Sequence, residues 1–361
     1  MAILNVPSAY ATPTLANAAA IAGDTILIEP GTYLETVKID FIPNITIAGN
    51  TTDASTVVLS NNTDSTVDMS NGGSRFFSNL TIANGILPAG GGTQACLNGS
   101  NAAEVFATNV IFASAGGVTC VQQTDKGGIF NRCKFTIPFT SNTTNLDGFR
   151  SLSSNECTLT ACVFIGWTGM AINAPESTVI NCSVYEAQTG TAVPTYGIWT
   201  GNIHNCAIWT PNVTSYGGRS QYAGYSAGFS SAYAPAAAAS VYVSNGAVSD
   251  GDLIITAAIV ANGNNLFVLP PTNMEPNALG LAFQNGNSAY ALPPTDYAGN
   301  AWNNPPSRGA YEEAPTPVGG GIPDQMDKIN NMNNWHIASR NVVLPFQTLQ
   351  NPAYCACQNT Q

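Results

Sequence analysis

Leu159-Thr-Ala-Cys162-Val-Phe-Ile165 and Val179-Ile-Asn-Cys182-Ser-Val-Tyr185 carry one pattern twice. A small polar residue has an apolar residue three positions before it and an apolar pair two and three positions after it. Between residues 76 and 209 the pattern occurs six times. It is centred on Asn79, Asn109, Cys133, Cys162, Cys182 and Cys206, with Thr as the only lapse in the apolar pairs. Recurrence every 20 to 30 residues marks a solenoid, in which each repeat is one coil stacked on the last. The β-branched and aromatic bias around each centre makes the coil one of strands, not helices. The chain is predicted to be all-β, a parallel β-helix.

In such a stack, equivalent residues of successive coils lie about 4.8 Å apart and form ladders. The six centres are read as one such ladder, with Asn bonding from rung to rung inside the coil. Cys serves there as a small, buriable residue with a weak donor. Cys96 and Cys120 each precede a centre by 13 residues and are assigned to another face of the same coils.

The 361 residues include only 9% charged ones, against 34 Gly and 22 Pro, with a net charge of −11. Ten scattered basic residues argue against nucleic acid, whose phosphates need clustered Lys and Arg. An anionic polysaccharide meets the same repulsion unless calcium bridges it. Nine cysteines, an odd number with seven in or near ladder positions, read as free structural thiols of a reducing cytoplasm. Side chains running parallel on adjacent rungs fit disulfide geometry poorly. Cys355-Ala-Cys357 offers two ligands at most and no metal site. No Lys or Arg precedes residue 38, and Pro7 and Pro13 interrupt the apolar stretches. The N-terminus therefore reads as neither a secretory signal nor a membrane span. The eight Asn-X-Ser/Thr sequons are read as chance, Asn79 being expected in the core.

Residues 1–22 are expected to cap the first coil, with a short helix over 13–22. Residues 23–313 then form the β-helix, interrupted at about 215–250 by a Gly-, Tyr- and Ala-rich excursion. Residues 314–321 (Ala-Pro-Thr-Pro-Val-Gly-Gly-Gly) read as a linker and 322–361 as a tail for attachment or oligomerisation. The stretch Tyr10-Ala-Thr, an Ala-rich helix, Gly23-Asp-Thr-Ile-Leu-Ile-Glu-Pro-Gly-Thr-Tyr33 and Ile45-Thr-Ile-Ala-Gly49 resembles the opening of right-handed β-helices of the pectin-lyase-like superfamily. Asp296-Tyr-Ala-Gly299 with Arg308-Gly-Ala-Tyr-Glu312 resembles the closing element of such chains. The resemblance implies a right-handed parallel β-helix over roughly residues 8–313. It leaves function open, because the family spans lyases, hydrolases, epimerases, adhesins and viral tailspikes.

Hydrolases of this fold need two or three Asp on one face of adjacent coils. No Asp-Asp, Asn-Thr-Asp, Gly-His-Gly or Arg-Ile-Lys sequence occurs. The catalytic candidates are Asp125, with its neighbour Lys126, Asp147 and Arg150. Asp147 would help hold calcium and Arg150 would act as the base of an elimination. The competing reading makes Asp147-Gly148 a turn and Arg150 a solvated side chain. His204 reads as a turn residue, Trp209 as packing, and Trp167 and Trp199 as packing or a sugar platform. The sequence therefore leans against catalysis and implies no cofactor and no metal.

What remains is architectural: a capped solenoid, a neutral polar exterior and an added tail. It is expected to fold in a cytoplasm and to end on a virion surface, similar in kind to β-helical head-fibre, decoration or tailspike proteins. Trp335, Phe346 and Tyr354 would anchor it to other virion subunits through residues 322–361. A homo-oligomer, a possible surface glycan, and neither nucleic acid nor membrane complete the expected partners. The alternatives are a polysaccharide lyase or glycoside hydrolase on the same scaffold, and an extracellular bacterial adhesin.

Overall fold

Leu4, Ile26, Ile47, Phe77, Ala107, Phe130, Leu159, Val179 and Ile203 follow one another in parallel register and are all buried. They form one inward column. Alternation makes this possible: in Ile45–Gly49 and Val57–Asn61 every second side chain is buried. The computed structural model describes residues 1–35, 39–61, 64–69, 72–84, 95–99, 103–114, 118–123, 126–137, 146–151, 156–167, 169–185, 198–209, 218–224, 227–230, 253–256, 267–269, 273–276, 294–304, 306–307 and 309–312. Within them, 22 strands join in one continuous sheet, and its named pairings are parallel.

The chain visits three faces in turn on every coil, giving a right-handed parallel β-helix. A second inward column is Leu59, Ile82, Phe112, Phe135, Phe164, Val184 and Ile208. A third is Val67, Leu97, Val121, Phe149 and Ile172. The three meet in an aromatic centre. Phe135 stacks on Phe164 at 4.5 Å and on Phe112 at 5.1 Å. Phe130 and Phe149, from the other two faces, meet edge to face at 4.9 Å. Offset and edge-on rings are the preferred aromatic contacts, and each buries a large apolar area.

The corner between the first two faces corrects the sequence reading of the ladder. Asn79, Asn109, Arg132, Ala161, Asn181 and Asn205 are aligned there, all left-handed with φ of 50° to 55°. Asn tolerates this conformation better than other side chains because its short amide bonds locally. The inward column is the next one: Leu80, Val110, Cys133, Cys162, Cys182 and Cys206. The predicted ladder thus mixes two adjacent columns. It slips by one residue because Asn and Cys are both small polar residues just ahead of an apolar pair.

Asn79 and Asn109 do not face the core. Asn109 Nδ2 donates to Asn79 Oδ1 at 2.8 Å and to Thr52 O at 2.9 Å, on the outside of the corner. The thiols have their own repeated bond. Cys133, Cys162, Cys182 and Cys206 each donate to the carbonyl two residues earlier, at 3.2–3.5 Å. The Thr160, Ile180 and His204 carbonyls also accept from Arg132 N, Ala161 N and Asn181 N of the neighbouring rung, so the thiol adds a second, weak donor at the corner. The seven described cysteines are buried and form no disulfide among the described residues, and Cys96 and Cys120 do share consecutive rungs of the third face.

The strands depart from the predicted boundaries at the N-terminal cap and at the expected excursion. Strand Ile3–Val6 already pairs with Thr25–Ile28, so the first coil begins inside the expected cap. Helix Pro13–Ala19 has Thr12 as its N-cap, whose hydroxyl accepts from Leu15 N, and Pro at its start. Strands Gly218–Gly224 and Ala227–Ser230 continue the parallel rungs into the expected excursion. Their Gly and Tyr content hid the alternation.

Residues 294–304, 306–307 and 309–312 fold back over the outside of the second face. Gly309 N donates to Asn205 O, Ala310 N to Ser183 Oγ and Asn181 Nδ2 to Ser307 O, at 2.6–3.2 Å. Residues 1–314 form one compact unit and 315–361 a second. The linker, the tail and its anchors Trp335, Phe346 and Tyr354 lie outside the described residues. Among the described residues no helix is long and apolar enough to cross a membrane.

Candidate functional site

The third face turns a row of polar side chains outward. In register, one per rung, stand Asp68, Asn98, Gln122, Arg150 and Asn173. The backbone positions of Trp199 and Arg219 extend the row. Each polar residue sits between two inward ones: Val67-Asp-Met69, Leu97-Asn-Gly99, Val121-Gln-Gln123, Phe149-Arg-Ser151, Ile172-Asn-Ala174. Strand alternation alone therefore points the five to the same side. Asp68 and Gln122 are nonetheless buried, and the Arg150 side chain is 31% exposed, so the row lies sheltered against the sheet.

Asp147 enters this row from the loop before Phe149–Ser151. Gly148 permits it: a Cβ there would lie 2.6 Å from Ala171 O and 3.1 Å from the Phe164 ring. The backbone passes so close to the next rung that the Asp147 carboxylate reaches into it. Oδ1 accepts from Met170 N at 2.7 Å and Oδ2 from Asn173 Nδ2 at 3.0 Å, while Arg150 Nε lies 3.9 Å from Oδ2. Burial pushes the Asp147 carboxyl above its ordinary range, against the pull of Asn173, Met170 and Arg150.

This geometry revises the roles expected for these residues. Both Asp147 oxygens are engaged within the protein and its side chain is only 5% exposed, an arrangement unlike an open calcium ligand. Among the described residues no three His, Cys, Asp or Glu cluster as a metal would need. Arginine keeps its proton in proteins, so Arg150 offers a cation, not a base. Asp125 lies outside the described residues. His204 is half-buried on the outer side of the first face, where burial lowers its pKa. Trp167 is 1% exposed and is packing, not a platform.

Sequence reasoning named Arg150 and Asp147 but missed Asp68, Asn98, Gln122 and Asn173. The signal for them was the repeated triplet of inward, polar and inward residues. It is three residues long and irregularly spaced, and becomes visible only once the rungs are aligned.

The sequence matches no protein-family model and no curated protein. Among solved structures, a pectate lyase is similar at 16% identity, over 82% of this chain and 90% of that one, with a TM-score of 0.43. A pectin methylesterase of Erwinia chrysanthemi is similar at 14% identity, over 63% and 78%, with a TM-score of 0.38. A pectin methylesterase of carrot is similar at 15% identity, over 73% and 90%, with a TM-score of 0.36. The expectation of a virion component is corrected in this: these similar structures are a pectate lyase and pectin methylesterases, not viral proteins. The similar structures are enzymes on a β-helix scaffold, and the likeness to viral fibres or tailspikes is without support.

Proposed function

We propose that this chain is a polysaccharide-processing enzyme, a lyase or glycoside hydrolase, that holds an anionic sugar chain along the outer row of its third face. The observation that carries the reading is Arg150 set in a row of amides. Asn98 and Gln122 stand on the rungs to one side and Asn173 on the other. Amides both donate to and accept from sugar hydroxyls, and a guanidinium forks onto a carboxylate. In a chain of net charge −11, this local cation is what an acidic sugar would seek.

Elimination is favoured over hydrolysis by the spacing of the acids. A glycoside hydrolase sets its two carboxyls about 5–9.5 Å apart. Asp68 stands three rungs from Arg150, about 14 Å at the usual spacing, and Asp147 belongs to the Arg150 rung. Elimination beside a uronate carboxylate needs positive charge where the enolate develops, and Arg150 supplies it. Asp125, two residues past Gln123 in the sequence, is the first proton acceptor to test by substitution.

The test is a screen of polygalacturonate and alginate for unsaturated uronate ends by ultraviolet absorbance, with reducing ends measured in parallel. Unsaturated ends that disappear in Arg150→Ala are expected. A folded protein that yields neither product from any acidic polymer would overturn the reading.

A further inference from the structure

We infer that Asp147 is a positioning residue, a buried carboxylate that fixes the Arg150 guanidinium in the polar row by spanning two rungs. The inference rests on the reading of that row as an anion-binding line. Arg150 has a long side chain with several rotatable bonds, and holding it in one place opposes its rotamer entropy. Its Nε is buried and makes no hydrogen bond among the described residues. The opposing charge of Asp147 Oδ2, 3.9 Å away, is the interaction seen to restrain it. A separation of that size also suits a bridging water.

Asp147 is itself held from the rungs on either side. Met170 N and Asn173 Nδ2 approach its two oxygens, and Thr119 Oγ1 accepts from its backbone N at 3.4 Å. These neighbours are neutral, so Arg150 is the ion that answers its charge. The carboxylate is thus a fixed post: buried, bonded on both oxygens and closed to substrate. A group that touches no ligand acts on one only through Arg150 and Asn173.

Asp147→Asn separates this role from plain packing. The amide keeps the shape and still accepts from Met170 N, but its NH2 group opposes the Asn173 amide donor and it carries no charge for Arg150. The experiment uses the full chain with Asp147→Asn, Arg150→Ala and the exchange variant Asp147→Asn/Asn173→Asp. The exchange variant restores a carboxylate–amide bond between the rungs but moves the charge. Two readouts are taken: hydrogen exchange of the Arg150 Nε–H by NMR, and binding of trigalacturonate against a neutral galactose trimer.

The expected result is faster Nε–H exchange in Asp147→Asn, with trigalacturonate bound about tenfold more weakly or worse. The exchange variant should recover melting temperature but not affinity. An Nε–H unchanged in Asp147→Asn overturns the inference whatever binds, and leaves the reading of the row standing if Arg150→Ala still loses the ligand. Unaltered binding in Arg150→Ala overturns the row itself, and with it any role for Asp147 in recognition.

Discussion

The second and third faces of the coil share one core yet present opposite exteriors. On the second, the outward column is Thr81, Ile111, Lys134, Val163, Ser183 and Ala207; Ile111 and Lys134 are half-buried, and the other four are 7% exposed or less. They are buried because chain lies over them: Thr81 Oγ1 donates to Ala54 O, and Ser183 Oγ accepts from Ala310 N. On the third, the outward column is long and polar, and among the described residues Asn98 Oδ1 and Arg150 Nε make no hydrogen bond, the latter having only the Asp147 carboxylate 3.9 Å away. Where chain lies over the second face, the outward residues are small, and Thr81 and Ser183 are bonded by what covers them. Buried groups left open on the other face ask for a partner from outside.

The comparison breaks most visibly if the cover is released. Glu312 is 1% exposed and accepts from Ser307 N, Ser307 Oγ and Asn303 N, while its own N donates to the buried Asp296. Removing a buried carboxylate leaves all three donors unmet. Glu312→Ala is expected to cost about 3 kcal/mol or more in urea unfolding. Amide exchange should rise at Ser183–Tyr185 under the loosened cover. A smaller loss is expected at the contact itself. Gly309 has φ of +109°, and a Cβ there would lie 2.7 Å from Ser183 Oγ and 3.1 Å from Ala207 Cβ. Gly309→Ala should cost about 2 kcal/mol through strain and overpacking, with the coils intact by circular dichroism.

How much of this was legible depended on the number of rungs that share a signal. Repeated apolar positions such as Phe112, Phe135 and Phe164 average over many coils, so the solenoid could be read directly. The corner was read one residue out. Asn79 and Cys133 look equivalent as strings, and only pairing across rungs sets Asn79 against Arg132 and Cys133 against Leu80. The site was less legible still. Asp68 and Asn173 are 105 positions apart in the chain but four rungs apart in the fold, and no local pattern announces that.

A pH series sharpens the contrast on the open face. Burial holds the folded Asp147 carboxyl above its ordinary value of 3.8, so between the two values the native state keeps a proton that the unfolded chain has released. The contribution therefore favours folding at lower pH and is lost as pH rises toward the folded pKa. Inside that window the difference changes by at most about 1.4 kcal/mol per pH unit. The stability of the wild type relative to Asp147→Asn is expected to improve as pH falls across it. A difference flat in pH would mean that the carboxyl titrates as an exposed one does.

The smallest expected effect on stability is the most telling about function. Asn98 Oδ1 accepts nothing among the described residues although it is buried. Deleting an unsatisfied acceptor removes a desolvation penalty instead of breaking a bond, so Asn98→Ala should shift folding by no more than about 0.5 kcal/mol. If the row binds sugar, that same acceptor takes a ligand hydroxyl, and the variant should bind trigalacturonate several-fold more weakly at unchanged melting temperature. The covered face predicts the reverse, since Ser183→Ala leaves Ala310 N without its acceptor and should lower stability with no effect on ligand. Finding both variants equally destabilised, with binding untouched, would make the two faces alike and remove the distinction between a surface that is covered and one that binds.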